Sequence, residues 1–491
     1  MESTRQTPGV TCDDCEPTIN SAPSIVRNHR PDIAIVGAGS AGFAAAIRAV
    51  ELGAHVTLVG HGTIGGTCVN VGCVPSKTLI RAVEGLHVAR AASRFSGISA
   101  EARVSDWSSL VAQKDDLVSA LRKAKYVKLL AAYEGITYVE GRARFANGGL
   151  EVGGTSLPAA RLLITTGARP AMPPIAGLDA VPFLTSTEAL ALPRLPGSLV
   201  VIGGGYVGCE LAQLFARAGV KVTIACRRRL LPEAEPEISG ALAEYFGAEG
   251  MDVRRGLTYG RVDRTDGGIL LSATKRNVPV MLTAEQLLIA TGRTPNTEGL
   301  GLEDAGIGMS SEGGIAVDAY MRTSRPGVYA AGDVTGRDQF VYMATYGARL
   351  AVENALTGDI HRYDHATMPS VVFTDPQVAS VGLTEAAARA AGYDVHTAIL
   401  ALDQVPRALA ARDVRGLIKL VADRATDRLL GAHLLAPEGA DSIQTAAMAI
   451  KGGLTTRDLG ETIFPYLTTV EGLKLAAQSF TRDVTKLSCC A

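Results

Sequence analysis

Cys68, Cys73 and Lys77 are the side chains whose types and spacing could do chemistry together. They lie in the run Gly65-Gly66-Thr67-Cys68-Val69-Asn70-Val71-Gly72-Cys73-Val74-Pro75-Ser76-Lys77. With four residues between them, the two cysteines can face one another on the first, distorted turns of a helix. That separation suits a disulfide or a shared soft metal ion, because thiolates select soft cations. A helix N-terminus and the Lys77 ammonium would both lower a thiol pKa and raise the share of reactive thiolate. Four other cysteines form close pairs, Cys12/Cys15 and Cys489/Cys490, while Cys209 and Cys226 stand apart and read as packing residues. His29, His87, His396 and His433 show no ligand spacing to one another.

The elements that must position this run flank it. Asp32–Val36 reads as a buried parallel strand entering Gly37-Ala38-Gly39-Ser40-Ala41-Gly42; an Ala-rich helix to Leu52 and a strand at His55–Val59 follow. This is a βαβ unit opening on G-x-G-x-x-G, in which Gly37, Gly39 and Gly42 allow a tight turn and a pyrophosphate seated on the helix N-terminus. The unit recurs: a strand at Ser198–Ile202, the turn Gly203-Gly204-Gly205-Tyr206-Val207-Gly208, a helix to about Ala218 and a strand at Lys221–Ala225. Two such units predict two bound dinucleotides, the first beside the thiol pair. Further strands end in Thr-Gly turns at Gly167 and Gly292, and Val328–Asp333 delivers Asp333 beside glycines. From residue 366 the pattern changes to strands at Val371–Phe373, Gly416–Val421 and Leu429–Leu435, with helices at 439–452, 455–460 and 469–480. The expected fold class is therefore α/β: two Rossmann-like dinucleotide-binding domains plus an α+β C-terminal domain.

Composition agrees. A length of 491 residues suits about three domains at roughly 150 residues each. Lys and Arg number 48 against 49 Asp and Glu, so the basic excess of a nucleic-acid or anionic-membrane protein is absent. No apolar run reaches the ~18 residues of a membrane span, and no signal pattern opens the chain. A cytoplasmic protein with mostly reduced thiols is expected.

The cysteine run resembles the G-G-T-C-x-N-x-G-C-x-P-S-K redox box of the FAD-dependent pyridine nucleotide–disulfide oxidoreductases. The Thr-Gly and Ala-Ala-Gly-Asp markers extend that resemblance over nearly the whole chain after residue 30. The resemblance implies that Cys73 is the thiol beside the flavin and Cys68 the outer, interchange thiol, with Lys77 near the flavin and paired with Glu210. It further implies FAD contacts from Gly62, Gly66, Thr67, Gly42, Ala143, Gly167, Asp333 and Val341. It implies a homodimer in which Tyr466 and Glu471 reach the partner's flavin site. The implied organisation is a flexible tail at 1–30, an FAD-binding domain at 31–172 and 297–365, a nicotinamide-nucleotide domain at 173–296, a dimerisation domain at 366–480 and a dithiol tail at 481–491.

Within the family, disulfide-reducing members use a His-x-His…Glu box as proton donor. Here it reads Phe464-Pro465-Tyr466-Leu467-Thr468-Thr469-Val470-Glu471, with both histidines gone. Losing an acid–base group costs disulfide exchange roughly 10²–10⁴-fold, whereas reducing a metal ion needs no such proton. Vicinal Cys489 and Cys490 suit a soft cation such as Hg(II). With the stretch Val470–Ala477, these features resemble the branch of the family that reduces thiol-bound Hg(II). The alternative is a thiol–disulfide reductase with a C-terminal dithiol relay, of the thioredoxin reductase or lipoamide dehydrogenase kind; a third reading is a non-catalytic metal-sequestering protein. NADPH is expected over NADH, because neutral Cys226 stands where an acidic residue would read the ribose. Arg227, Arg228 and Arg229 follow it and suit a 2′-phosphate.

Two departures stand out. The residues before the first strand leave no room for the N-terminal metal-binding domain that such proteins often carry; Cys12-Asp13-Asp14-Cys15 has its spacing but no fold around it. The acidic residue that usually ends the second strand and binds the FAD ribose should fall at Gly60, so a charged hydrogen bond worth roughly 1.5–3 kcal/mol is missing.

Overall fold

The computed structural model describes residues 31–146 and 148–486; Cys12, Cys15, Cys489 and Cys490 lie outside the described residues. The apolar strand Ile33–Val36 is buried along its whole length, as a strand covered on both faces must be. It is central in a five-stranded parallel sheet ordered Val328–Ala330, Arg161–Ile164, Ile33–Val36, Val56–Gly60, Ile136–Glu140. The helix Ser40–Glu51 packs its alanine-rich face on the helix Val341–Thr357. The second unit repeats the plan with Asp252–Arg255, Lys221–Cys226, Ser198–Ile202 and Gln286–Ile289, again parallel. The chain leaves the first unit and returns to it through two short strands, Ala168–Pro170 and Arg293–Pro295, paired antiparallel. The C-terminal part is a five-stranded antiparallel sheet backed by the helices Gly439–Lys451 and Glu471–Gln478. Among the described residues no helix is long and apolar enough to cross a membrane.

One core joins all three parts. Leu79 and Val83 of the helix Cys73–Arg90 pack with Leu211 and Phe215 of the helix Tyr206–Arg217, and with Val372, Val378 and Leu435 of the C-terminal sheet. Two buried ionic clusters fasten the second unit to that sheet. Lys419, 1% exposed, reaches Glu235, Glu237 and Glu385 at 3.0, 2.9 and 2.9 Å. Arg217 reaches Glu249 at 2.7 Å and Asp375 at 2.9 Å.

Sequence and structure differ at the cysteines. They do not share one distorted helix: Cys68 lies in the short helix Gly66–Asn70, and Cys73 opens the separate helix Cys73–Arg90 after a break at Val71–Gly72. A side chain at Gly72 would press to within 2.9 Å of the Thr67 carbonyl oxygen, so the break needs a glycine. The three-stranded antiparallel sheet of 258–284 and the strands Gln377–Gly382 and Val395–Ala401 were not expected from sequence.

Candidate active site

Both glycine turns form. Gly37 adopts φ +121°, and a Cβ on Gly42 would lie 1.8 Å from the Gly37 carbonyl oxygen. Gly203 adopts φ +122°, and a Cβ on Gly208 would lie 2.2 Å from its carbonyl oxygen. Each turn leads directly into a helix, Ser40–Glu51 or Tyr206–Arg217, whose first residue follows a glycine N-cap, Gly39 or Gly205, without side-chain capping. The uncapped N–H groups and the positive end of the helix dipole suit an anion there.

Beside the first turn lies a cavity of about 1250 Å³, roomy against the ~300–1,000 Å³ of ordinary ligand sites. Gly37, Gly39, Gly62, Gly66, Thr67 and Ala143 line one part of it, and Cys68, Cys73, Lys77, Gly167, Asp333 and Val341 another. Room, glycine cradle and helix N-terminus fit a long dinucleotide. Gly42 is absent from the lining; it is buried against Gly37, letting the helix close on the turn. Gly203, Gly205, Gly208, Gly292, Arg227 and Arg228 also lie outside this cavity, in or beside the second unit, but Tyr206 and Glu210 project into it from that unit's helix. Burial pushes the Asp333 carboxyl up, against the pull of Arg293, whose Nε lies 3.6 Å away.

The two free thiols lie close enough to bias one another's ionisation. Cys68 favours the Cys73 thiolate most, Lys77 adds to it, and burial and Glu210 oppose it; the balance lowers Cys73 to about 7. Cys73 and burial push Cys68 far up. Lys77 Nζ donates to Glu210 Oε2 at 2.6 Å, and Glu210 is buried. Burial pushes Cys209 up, and Cys226 to about 11, as packing residues require.

Tyr466 and Glu471 are not brought to this cavity within one chain. Tyr466 is 47% exposed on a C-terminal loop that Glu471 braces from inside, accepting the Leu467 N–H at 3.2 Å. Nor do the three arginines act alike. Arg229 turns inward and donates to the Pro232 and Ala234 carbonyls at 2.9 and 2.6 Å, while Arg228 stays exposed near Glu233. Cys226 Sγ donates to the Arg228 carbonyl at 3.0 Å and shapes that loop.

Sequence reasoning missed Tyr126. It sits on a π-helical turn, Lys123–Val127, with its hydroxyl 3.1 Å from Ser40 Oγ. Burial and the two thiols push that hydroxyl up, so the phenol stays neutral beside them. Such turns often mark functional sites, but nothing in Lys-Ala-Lys-Tyr-Val announces one. Tyr342 and Phe373 also line the cavity and were missed.

Residues 31–351 match the family model described as pyridine nucleotide-disulphide oxidoreductase, and 368–477 match its dimerisation domain. A mercuric reductase from Streptomyces lividans is 50% identical over 94% of this chain and 98% of that protein. One from Shigella flexneri is 47% identical over 94% and 82%. In fold, the chain is similar to the Cu(II) complex of the HOCl-induced flavoprotein disulfide reductase RclA from Escherichia coli. That match has a TM-score of 0.81 and 31% identity, and covers 92% of this chain and 99% of that one.

Proposed function

The chain belongs to the pyridine nucleotide–disulphide oxidoreductase family, on the branch of the mercuric reductases, and from that premise we propose how its residues carry two electrons to thiol-bound Hg(II). It is a flavoprotein oxidoreductase that takes FAD and a pyridine nucleotide and carries a dimerisation domain. The observation that carries the reading is that the free thiols of Cys68 and Cys73 line, with Lys77, the cavity beside the first glycine turn.

Bound FAD would supply a two-electron relay between nicotinamide and thiols. Gly37, Gly39, Gly66, Thr67, Ala143 and Asp333 would hold it, with Val341 and Tyr206 in the same lining. Cys489 and Cys490 take Hg(II) from a small thiol and pass it to Cys68 and Cys73 by ligand exchange. Each incoming thiolate bonds before the outgoing one leaves, so no free ion is exposed. Two electrons then reduce Hg(II) to Hg(0), which departs. Lys77 balances the thiolate charge, and Glu210 keeps the lysine in place.

The second nucleotide is NADPH, its 2′-phosphate held by Arg227 and Arg228. The active form is a homodimer with sites at the subunit interface. Ile463, 95% exposed, lies on the same loop as Tyr466 and Leu467, an apolar surface that a second copy would cover. We place the enzyme in the cytoplasm, where its thiols stay reduced.

The test is NADPH oxidation with Hg(II) plus excess thiol, compared with organic disulfides. Turnover only with Hg(II) is expected. Turnover only with disulfides would establish the thiol–disulfide reductase instead. A mixed dimer of Cys73→Ser with Cys489→Ala/Cys490→Ala places the tail: about half of parental activity returns if it acts across the two-fold, and none if it serves its own chain.

A further inference from the structure

Two pairs of arginines stand at one end of the second unit's sheet. Arg227 and Arg228 follow the strand Lys221–Cys226, and Arg254 and Arg255 close the neighbouring strand Asp252–Arg255. The strands run parallel with Cys226 opposite Arg255, and such neighbours lie about 4.8 Å apart. All four side chains are exposed. Two of them are matched: Arg228 lies 3.3 Å from Glu233, and Arg254 lies 2.7 Å from Asp252. Among the described residues no carboxylate pairs with Arg227 or Arg255.

The second glycine turn lies at the same end. A Cβ on Gly204 would lie 3.3 Å from Cys226 Sγ, and the Gly204 carbonyl accepts the Leu231 N–H at 2.7 Å. Cys226 also ties the two arginine-bearing segments together. Its Sγ donates to the Arg228 carbonyl at 3.0 Å and lies 3.6 Å from the Arg254 carbonyl oxygen; its own carbonyl accepts the Leu257 N–H at 3.1 Å. Residues paired across neighbouring strands project to one face of a sheet. Ile224 and Val253, the pair two residues earlier, both pack into the core that holds Leu211 and Phe215 of the helix Tyr206–Arg217. Arg255 therefore leaves the sheet on the face of Cys226, at the position that reads a nucleotide's ribose.

Two unmatched guanidinium groups this close repel one another, and a bound anion relieves the repulsion. The pyrophosphate is already provided for at the N-terminus of the helix Tyr206–Arg217, so the anion to be met here lies farther along, on the ribose. A phosphate monoester carries close to two negative charges near neutral pH, more than one guanidinium balances. We infer that Arg255 is a specificity-determining residue, closing on the 2′-phosphate of the second nucleotide from the strand opposite Arg227. The inference deepens the NADPH reading and rests on it.

The test uses the FAD-loaded, oxidised enzyme without turnover. Isothermal titration calorimetry compares adenosine 2′,5′-bisphosphate with 5′-AMP, which differs only in lacking the 2′-phosphate. Arg255→Gln should weaken the bisphosphate about 5–20-fold and leave 5′-AMP within about 2-fold. Arg255→Lys keeps the charge and should recover most of that loss. Arg254→Gln removes the same charge one residue away, from the opposite face, and should leave both ligands within about 2-fold. An unchanged affinity for the bisphosphate in Arg255→Gln overturns the inference, and so does equal weakening of both ligands, which would make Arg255 an adenine-side or structural contact. The NADPH reading fails separately, if the unaltered enzyme binds the bisphosphate no more tightly than 5′-AMP.

Discussion

Supplying the acidic side chain that position 60 lacks should weaken flavin binding rather than tighten it. Gly60 ends the strand Val56–Gly60, where the family carries an acid for the ribose. A Cβ built there would lie 2.4 Å from Tyr138 Oη, 2.8 Å from Tyr138 Cε2 and 2.8 Å from Ala38 Cβ. The tyrosine occupies the space of the missing side chain, and burial and Glu140 push its hydroxyl pKa up, so it stays neutral. Tyr138 can swing aside, but Ala38 cannot, because it lies between Gly37 and Gly39 in the first glycine turn, which lines the cavity. Overpacking of this kind costs about 1–3 kcal/mol. The ribose bond would be worth roughly 1.5–3 kcal/mol if it formed, but the displaced turn forfeits pyrophosphate contacts first. Gly60→Glu should therefore raise the Kd for FAD roughly 5–100-fold. Adding Tyr138→Val and Ala38→Gly removes all three overlaps, and the triple variant should bind FAD about 10-fold or more tighter than the parent. Flavin-fluorescence quenching on reconstituting apoprotein reads both, with thermal unfolding as a folding control. Tighter binding by Gly60→Glu alone would refute the steric argument.

Lys419→Met should cost about 3–5 kcal/mol in urea unfolding, because it strands three carboxylates that a buried cation had compensated. Lys419 holds the Glu385 carboxyl below its usual range, so that part of the deficit should be full above about pH 5 and shrink as pH falls through the carboxylate range; a cost that does not vary with pH would point to lost packing instead. Arg227→Gln with Arg228→Gln should raise the KM for NADPH roughly 10–100-fold at similar kcat and leave NADH nearly unaffected; equal effects on both nucleotides would place the 2′-phosphate elsewhere. Tyr466→Phe should slow Hg(II) turnover while flavin reduction by NADPH, followed by stopped flow, is unchanged. An unaltered Hg(II) rate would remove the phenol oxygen from the mechanism.

What the sequence shows clearly is whatever chain-local geometry demands. Gly37 and Gly203 are required by their own positive φ, and Gly42 and Gly208 by the carbonyl five residues before each, so the motif is a direct imprint of the turn. The box from Gly65 to Lys77 is local too, and its one surprise, the break at Gly72, was hidden because a glycine permits several conformations. Contacts assembled across parts of the chain left no such imprint. Phe373 reaches Lys77 from some three hundred residues away, and Tyr126 owes its place to the packing of one helical arm. Arg229 misled for a related reason. Three adjacent arginines look equivalent on paper, but the loop after Cys226 directs the third toward the carbonyls of Pro232 and Ala234.

The division of protons between the two thiols explains why the site suits a soft cation. Lys77 alone does not make Cys73 a thiolate, for burial and Glu210 work against it; the neighbouring Cys68 thiol is the largest favourable influence. Cys73 and burial push Cys68 up while Cys68 pulls Cys73 down, so the pair parts with its first proton far more readily than its second. Such a pair titrates as a unit. A two-coordinate soft metal replaces the shared proton by binding both sulfurs, and metal affinity is coupled to proton release. In the proposed reaction an incoming Hg(II) would meet Cys73 first and displace the proton from Cys68 as the second bond forms. The arrangement therefore keeps one nucleophile available without presenting two adjacent bare anions in a half-buried cavity, where their mutual repulsion would be weakly screened.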